Sequence, residues 1–428
     1  MTATAGRGTG DPVVVVGGGV VGLCAAHYLA QAGLPVELVE RSTVGSGVSR
    51  GNAGWVCLSH STPVPAPGVL RYAAGSLGRP DSPLYLRPRP DSGFLRWLWG
   101  FWRSSTPSAF RRGYTAIAEL NRNTFELFDG LREAGVDTTL VRPGLVHAFH
   151  SAAEARHHLG IQREMAHGRY EVPDDVTTGD EAHLLDPALS PEVRAAYLVP
   201  GEGVVDPTAL ARALGARLTA SGVKVHENTR VTGFGQNGSA DTVTTIRTDR
   251  GEITCSALVI AAGVRSGDLL RELTGRRLPL QAGKGYSFSV DLDPAPRHAM
   301  YFGEHRVVAS PIAGTTRIAG TMELSGNNNR LDWRRVTAIA LASRHYLGRW
   351  FEEPDDLVSL IRDPWVGGRP FLPDGLPVID RVPGRGNAYT ATGHGMLGVT
   401  LGPATGQALA AFLSTGRRPE TLAPFQFR

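Results

Sequence analysis

Three places in the chain combine residue types and spacings suited to chemistry. The first is Gly17-Gly18-Gly19-Val20-Val21-Gly22, a G-x-G-x-x-G run followed by Glu40. The second is Arg369, set among glycines and prolines in Trp365-Val366-Gly367-Gly368-Arg369-Pro370-Phe371. The third is Gly393-His394-Gly395-Met396-Leu397-Gly398. Closely spaced glycines let a ligand approach the backbone, and amides at a helix start attract phosphate. A carboxylate ending the next strand can accept from ribose hydroxyls. A guanidinium offers a planar fork that matches a carboxylate through two parallel bonds. The first place therefore suits a dinucleotide. Arg369 suits an acid substrate, although most arginines simply face water.

These residues need elements to position them. Val13–Val16 is a β-branched run, expected as a buried parallel strand. A helical pattern runs to Ala32 and stops at Gly33, and a second strand over Pro35–Val39 ends at Glu40. With strand, glycine turn, helix, strand and acid all present, the dinucleotide reading outweighs a bare glycine turn. Gly17 takes the tight turn, Gly19 the pyrophosphate approach and Gly22 the packing of helix on strand. The chain then enters a Gly/Ser/Asn loop, Ser46 to Gly54, rather than another βα unit. Such a loop suits a long cofactor lying extended across the domain.

Further along, residues 69–135 read as mainly helical, broken at 78–90, with one helix over Ala116–Glu133. Asp206 and Pro207 form an N-cap and first position for a helix to Ala220. Ala257–Ile260 is a buried strand entering Ala261-Ala262-Gly263. Residues 278–322 are β-rich, and a helix is expected from Trp333 to about Leu347. A strand at Ala388–Ala391 precedes a last helix from about Pro403 to Leu413. The fold class is α/β: a doubly wound nucleotide domain interrupted by a second, sheet-bearing domain.

Composition limits the alternatives. The 428 residues suffice for two domains and a large core. Net charge is +4, and of 44 basic residues only Lys224 and Lys284 are lysines, leaving 42 arginines. No long run of like charge occurs, so no nucleic-acid arm is expected. Cys24, Cys57 and Cys255 are far apart, without zinc spacing or a disulfide framework, and no metal is expected. The setting expected is a reducing cytoplasm. The apolar Val13–Ala26 run is too short to span a bilayer.

The ordered motifs resemble the FAD-dependent D-amino-acid oxidase superfamily, and most closely its bacterial D-amino-acid dehydrogenase branch, which is similar to glycine oxidase. Besides the glycine fingerprint, they are Ser49–Gly54, Ser61–Val69, Pro83–Asp91, Gly283–Ser287, Gly367–Ile379 and Thr392–Gly406. The resemblance implies a discontinuous Rossmann-like FAD-binding domain (GR2-type) interleaved with a mixed-sheet α+β substrate domain. Residues 1–70, 200–275 and 365–428 would form the first; residues 71–199 and 276–364 the second, with a helical insertion. Non-covalent FAD would lie against Gly17, Gly19, Val20, Val21, Gly22, Glu40 and Arg41. It would continue along Ser49, Gly51, Asn52, Ala53 and Gly54, then Val231, Ala262 and Gly263. Gly393, Gly395, Met396, Leu397 and Gly398 would lie under the flavin, close to Arg369.

The resemblance also implies hydride transfer from substrate Cα to flavin N5, with Arg369 holding the carboxylate. The imine product would hydrolyse to an oxo acid and ammonia. The expected partners are an amino-acid substrate and an electron acceptor, dioxygen or a quinone. Several residues keep two readings. Tyr286 is a pocket wall or a core aromatic. His394 is an acid–base group or a turn residue. His60 lines the pocket or a loop, and Lys284 is a site residue or a solvated charge. Cys57 reads as a small buried thiol rather than a covalent link. Phe94–Trp102 has apolar residues at helical spacing, expected as a core helix, with membrane-surface contact as the alternative. Rival functions are a glycine/sarcosine-type or specialised-metabolite amine oxidase, and a flavin-binding membrane-associated protein without turnover. Arg369 itself is expected in a rigid crossing turn between domains.

Overall fold

The computed structural model describes residues 10–69, 84–87, 91–236, 241–348 and 350–428. The helical structure expected at 70–77 lies outside them, as do Pro83 and Pro88–Pro90 of the Pro83–Asp91 motif. The chain opens with strand β1 (Val13–Val16), helix α1 (Val20–Gln31) and strand β2 (Val36–Val39). All four β1 valines are buried, as a central parallel strand requires. They lie in a six-stranded sheet ordered Val378–Arg381, Ala388–Thr392, Ala257–Ile260, β1, β2, Lys224–His226. Only the Val378–Arg381 pairing is antiparallel. The helix Gly398–Thr415 packs on α1 so closely that a Cβ at Gly406 would come within 2.6 Å of the Cys24 backbone.

Two helices differ from the sequence expectation. Ala116–Glu133 is not continuous: one helix spans Pro107–Leu120 and the next Thr124–Glu133. Asn121 ends one and Asn123 starts the other, the latter without a side-chain cap bond, and asparagine is a weak helix former in a helix interior. The last helix starts at Gly398, placing Pro403 inside it. The preceding glycine turn winds straight into the helix, with Leu397 N donating to His394 O at 2.8 Å and Leu401 N to Leu397 O at 2.8 Å.

Helix α2 (Ser92–Ser104) begins at Asp91, whose side chain accepts from Gly93 N. It turns Phe94 and Trp97 into a cluster with Leu324 and Phe371. Its outer side leaves Leu95, Trp99 and Trp102 exposed, at 58%, 58% and 60%. The core-helix expectation thus holds for one side of α2 alone.

The second sheet has nine strands. Its functional part is β3 (Gln281–Val290), β4 (Thr315–Leu324) and β5 (Arg362–Phe371), with β5 at the edge and β3 between the other two. Beyond β4 come Val307–Ile312, Ala299–Phe302, Leu145–Phe149, Ala195–Val199 and Thr177–Thr178, and among the described residues the ninth strand, Leu84–Leu86, pairs with the end of β4. Side chains alternate faces along each strand. One face buries Val146, Ala148, Phe302, Ala309, Ile318 and Phe288 against the helix Trp333–Arg344. Register aligns Tyr197, His147, Tyr301, Val308, Ala319, Ser287 and Trp365 in a row on the other face. Among the described residues no helix is long and apolar enough to cross a membrane.

Candidate active site

At the end of β1 a Cβ on Gly17 would lie 2.5 Å from Ala261 O, and φ there is +119°. No residue but glycine fits this close turn. Gly19 caps α1 without a side-chain acceptor. Ser49 Oγ accepts from Val20 N at 3.2 Å, bringing the Gly/Ser/Asn loop onto the helix start. The Glu40 carboxylate accepts from Gly18 N at 2.7 Å and Ser42 N at 2.9 Å. These two amides hold it at the mouth of the glycine turn. Ala262 and Gly263 follow the neighbouring strand, and Val231 packs beside the buried Val14 and Val16 cluster. Arg41 approaches Arg265, and its guanidinium pKa is lowered, first by burial and then by that second charge.

The Ser49–Gly54 loop crosses onto the second face of the large sheet. A Cβ on Gly51 would sit 2.0 Å from the Trp365 ring, so loop and ring are in close contact. Arg317 Nη1 donates to Arg50 O at 3.0 Å and to Asn52 O at 3.1 Å. Trp55 Nε1 donates to Ser310 Oγ at 2.8 Å. From the other side, Asn52 Nδ2 donates to Met396 O at 3.1 Å. Gly395 N donates to Pro370 O at 2.9 Å. The Ser49–Gly54 loop, the Gly393–Gly398 turn and the Arg369 end of β5 therefore converge, although they are far apart in sequence.

Arg369 lies within β5, not in a turn. Gly283, its cross-strand partner on β3, shares its sheet face. The turn comes later, at Pro373–Gly375. The local glycines and prolines misdirected the sequence reading, since an edge strand tolerates proline. Gly367 and Gly368 serve close packing: a Cβ at Gly367 would meet the Trp365 ring at 2.3 Å. The Arg369 guanidinium is stacked over Gly285, where a Cβ would come within 2.1 Å of Nη2. Nη1 donates to Thr321 O at 3.0 Å. Among the described residues it has no carboxylate partner. Burial pushes its pKa down to about 10, so it stays charged at neutral pH.

Tyr286 is fully buried, and on β3 it points away from the Arg369 face. Its hydroxyl donates to Glu323 Oε2 at 2.6 Å, raising its pKa through burial and this acceptor. Lys284 is buried too, 3.3 Å from Glu323 Oε1. Burial favours the neutral acid at Glu323, yet hydrogen bonds from Ser325, Tyr286 and Lys284 outweigh it and lower the pKa. Tyr286 is thus a core aromatic whose hydroxyl joins a buried ionic network, and Lys284 belongs to that network rather than being a solvated charge. His394 Nε2 faces Thr405 Oγ1 at 3.0 Å, and burial pushes its pKa down to about 3. It is neutral and tied to the C-terminal helix. His60 stacks between His147, at 5.0 Å, and Tyr301, at 4.8 Å, on the row described above. Burial and His158 lower its pKa to about 3. Burial, and then Glu202, raise the pKa of the Cys57 thiol well above its usual range.

The FAD dependent oxidoreductase family model matches residues 12–412. The chain belongs to this family. It is 31% identical to a D-amino-acid oxidase of Bradyrhizobium diazoefficiens, over 97% of this chain and 98% of that one. It is 33% identical to a D-amino acid dehydrogenase 2 of Ralstonia nicotianae, over 96% and 99%. Among solved structures, glycine oxidase from Geobacillus kaustophilus has a TM-score of 0.73 at 24% identity, covering 97% of this chain and 98% of that one. L-proline dehydrogenase from P. horikoshii also has a TM-score of 0.73, at 18% identity, covering 97% and 96%. The latter two likenesses are of fold.

The FAD-dependent family assignment agrees with what the first domain offers. The glycine turn leads into the start of α1, Glu40 stands at the strand end, and the loop extends from there to the large sheet. Sequence reasoning missed Thr321, Arg317, Glu323 and Arg265. Only Arg265, two residues beyond Gly263, had a local signal. Arg317 and Thr321 act through backbone carbonyls across sheet pairings, which no motif spells out.

Proposed function

We propose that the chain oxidises D-amino acids by oxidative deamination, with Arg369 anchoring the carboxylate. The observation carrying this reading is a buried, charged guanidinium without a carboxylate partner among the described residues. It sits where the Ser49–Gly54 loop and the Gly393–Gly398 turn meet the large sheet. Non-covalent FAD would be held by the glycine turn at Gly17–Gly22, Glu40 and the Ser49–Gly54 loop, and would supply a two-electron acceptor for a hydride from Cα. The protein's part is orientation. Thr321 O occupies one guanidinium N–H and leaves the remaining donors for a carboxylate. A charge-assisted pair contributes about 1.5–3 kcal/mol, enough to select which Cα–H points at the cofactor. His394, neutral and bonded to Thr405, shapes the turn rather than taking a proton. The imino acid then hydrolyses to an oxo acid and ammonia, and dioxygen or a quinone takes the electrons.

The test is anaerobic bleaching of the flavin by a panel of D- and L-amino acids, glycine, sarcosine and proline. Bleaching by D-amino acids, followed by recovery with oxygen or quinone, supports the reading. Bleaching by glycine and sarcosine alone would replace it with a glycine-oxidase-type activity. No bleaching at all would leave a flavin-binding protein without turnover.

A surface contact is proposed alongside. Leu95, Trp99 and Trp102 form an exposed stripe on α2; Arg96 and Arg103 on the same helix, and Arg111 and Arg112 on the next, are also exposed. Arg103 also lies over the Trp99 ring at 4.7 Å. Indoles with flanking cations suit the headgroup level of an anionic bilayer. Cosedimentation with anionic vesicles, lost in Trp99→Ser/Trp102→Ser and retained with turnover in the parent, would bear this out. Equal binding by parent and variant would exclude it.

A further inference from the structure

We propose that Glu323 is a positioning residue for Arg369, acting through the bulge between β3 and β4. The inference rests on the anchor reading of Arg369. Strand pairing sets Lys284 opposite Glu323 and Tyr286 opposite Gly320, so Thr321 and Met322 together face Gly285. That extra residue forms a bulge. Within it Thr321 has φ +61°, a conformation a β-branched residue rarely adopts. The same conformation brings the Thr321 carbonyl to Arg369 Nη1 at 3.0 Å, while Gly285 underlies the guanidinium.

The bulge therefore builds both the floor and the hydrogen-bond acceptor of the Arg369 site. Its own restraint comes from the opposite sheet face. Glu323 reaches the two β3 residues that flank Gly285: Tyr286 Oη donates to Oε2 at 2.6 Å and Lys284 Nζ to Oε1 at 3.3 Å. Ser325 Oγ also donates to it. Arg335 Nε stands 4.0 Å from Oε2. Lys284 is further held by Asn328 Oδ1 at 3.2 Å and Arg330 O at 3.1 Å. One carboxylate thus clasps β3 on both sides of the glycine beneath Arg369. Without it, the bulge loses the side-chain restraint on its far face, and Thr321 can relax toward an ordinary strand conformation. Its carbonyl would then turn away from the guanidinium.

The experiment is Glu323→Gln in the FAD-loaded enzyme, measured beside Arg369→Ala and the double variant Glu323→Gln/Thr321→Gly. Glycine adopts positive φ without strain and no longer needs the clasp. Glu323→Gln is expected to raise KM for a D-amino acid about ten-fold, with kcat within about two-fold. The double variant is expected to recover most of that KM. Tyr286→Phe, which removes one arm of the clasp, replaces Glu323→Gln if the latter does not fold, with a smaller rise and the same rescue. A loss of thermal stability with KM unchanged overturns the proposal, as does a raised KM that Thr321→Gly does not recover. If Arg369→Ala alone leaves KM unchanged, the anchor reading fails and the Glu323 role with it. If Arg369→Ala raises KM and Glu323→Gln does not, only the Glu323 role fails.

Discussion

The two faces of the large sheet are built from the same strands and serve opposite ends. On one, Phe288, Ile318, Phe302 and Val146 close into an apolar core under the helix Trp333–Arg344. On the other, Arg369 stands over Gly285, and His147, Tyr301, Ser287 and Trp365 face the loops of the first domain. A shift of one residue exchanges the two faces, because side chains alternate along a strand. The difference shows how a stable core and a polar site can sit a strand's thickness apart. The core face stabilises through buried area, while the other face carries Arg369 and Arg317 among glycines and aromatic rings.

Substitutions should separate these faces. The largest effect is expected for Phe288→Ala, which should destabilise the fold by about 3–5 kcal/mol. Urea unfolding would measure it, and KM of the folded fraction should not change. Arg369→Ala should do the reverse. The loss of about 1.5–3 kcal/mol corresponds to roughly 10- to 150-fold in kcat/KM, with the flavin retained and the unfolding midpoint little moved. Equal losses of stability from both variants would erase the distinction. Gly285→Ala is milder: its Cβ displaces the guanidinium and should raise KM by roughly five-fold, about 1 kcal/mol. A larger effect on the midpoint than on KM would place that residue with the core instead.

The last effect concerns pH and appears only in acid. His60 and His158 are held neutral, with pKa values lowered to about 3 and about 4, chiefly by burial. In the unfolded chain they titrate near ~6.5. Above that pH their depressed values cost nothing. As pH falls below it the unfolded state takes up protons that the folded state refuses, so stability declines toward the folded values. The slope is at most about 1.4 kcal/mol per pH unit for each histidine. His60→Phe should flatten the acid limb of a stability–pH curve, since among the described residues His60 Nε2 has no hydrogen-bond partner to lose. An unchanged slope would show that this cluster does not govern acid stability.

Much of the first domain was legible because its signals are local. The β1 valines, the glycine turn, Glu40 and the Asp206-Pro207 helix start are each decided by residues within one or two turns of chain. Asp206 Oδ1 indeed accepts from Thr208 N at 2.8 Å and Ala209 N at 3.2 Å. Local density of glycine and proline led the other way at Arg369. A turn was expected, but pairing with β3 makes that segment an edge strand. Tyr286 remained ambiguous for a related reason. Its face depends on register against β4 and β5, which a strand's own sequence leaves open.

The amino-acid sequence by itself determined the nucleotide fold, the family and the choice of Arg369 as the residue to watch. These rest on short-range backbone rules and on motif order along one chain. The tertiary structure alone decided that Arg369 stacks on Gly285, donates to Thr321 O, and meets loops centred near residues 52 and 396. Those contacts come from strand register and a bulge, and register is set by partners more than thirty residues away in sequence.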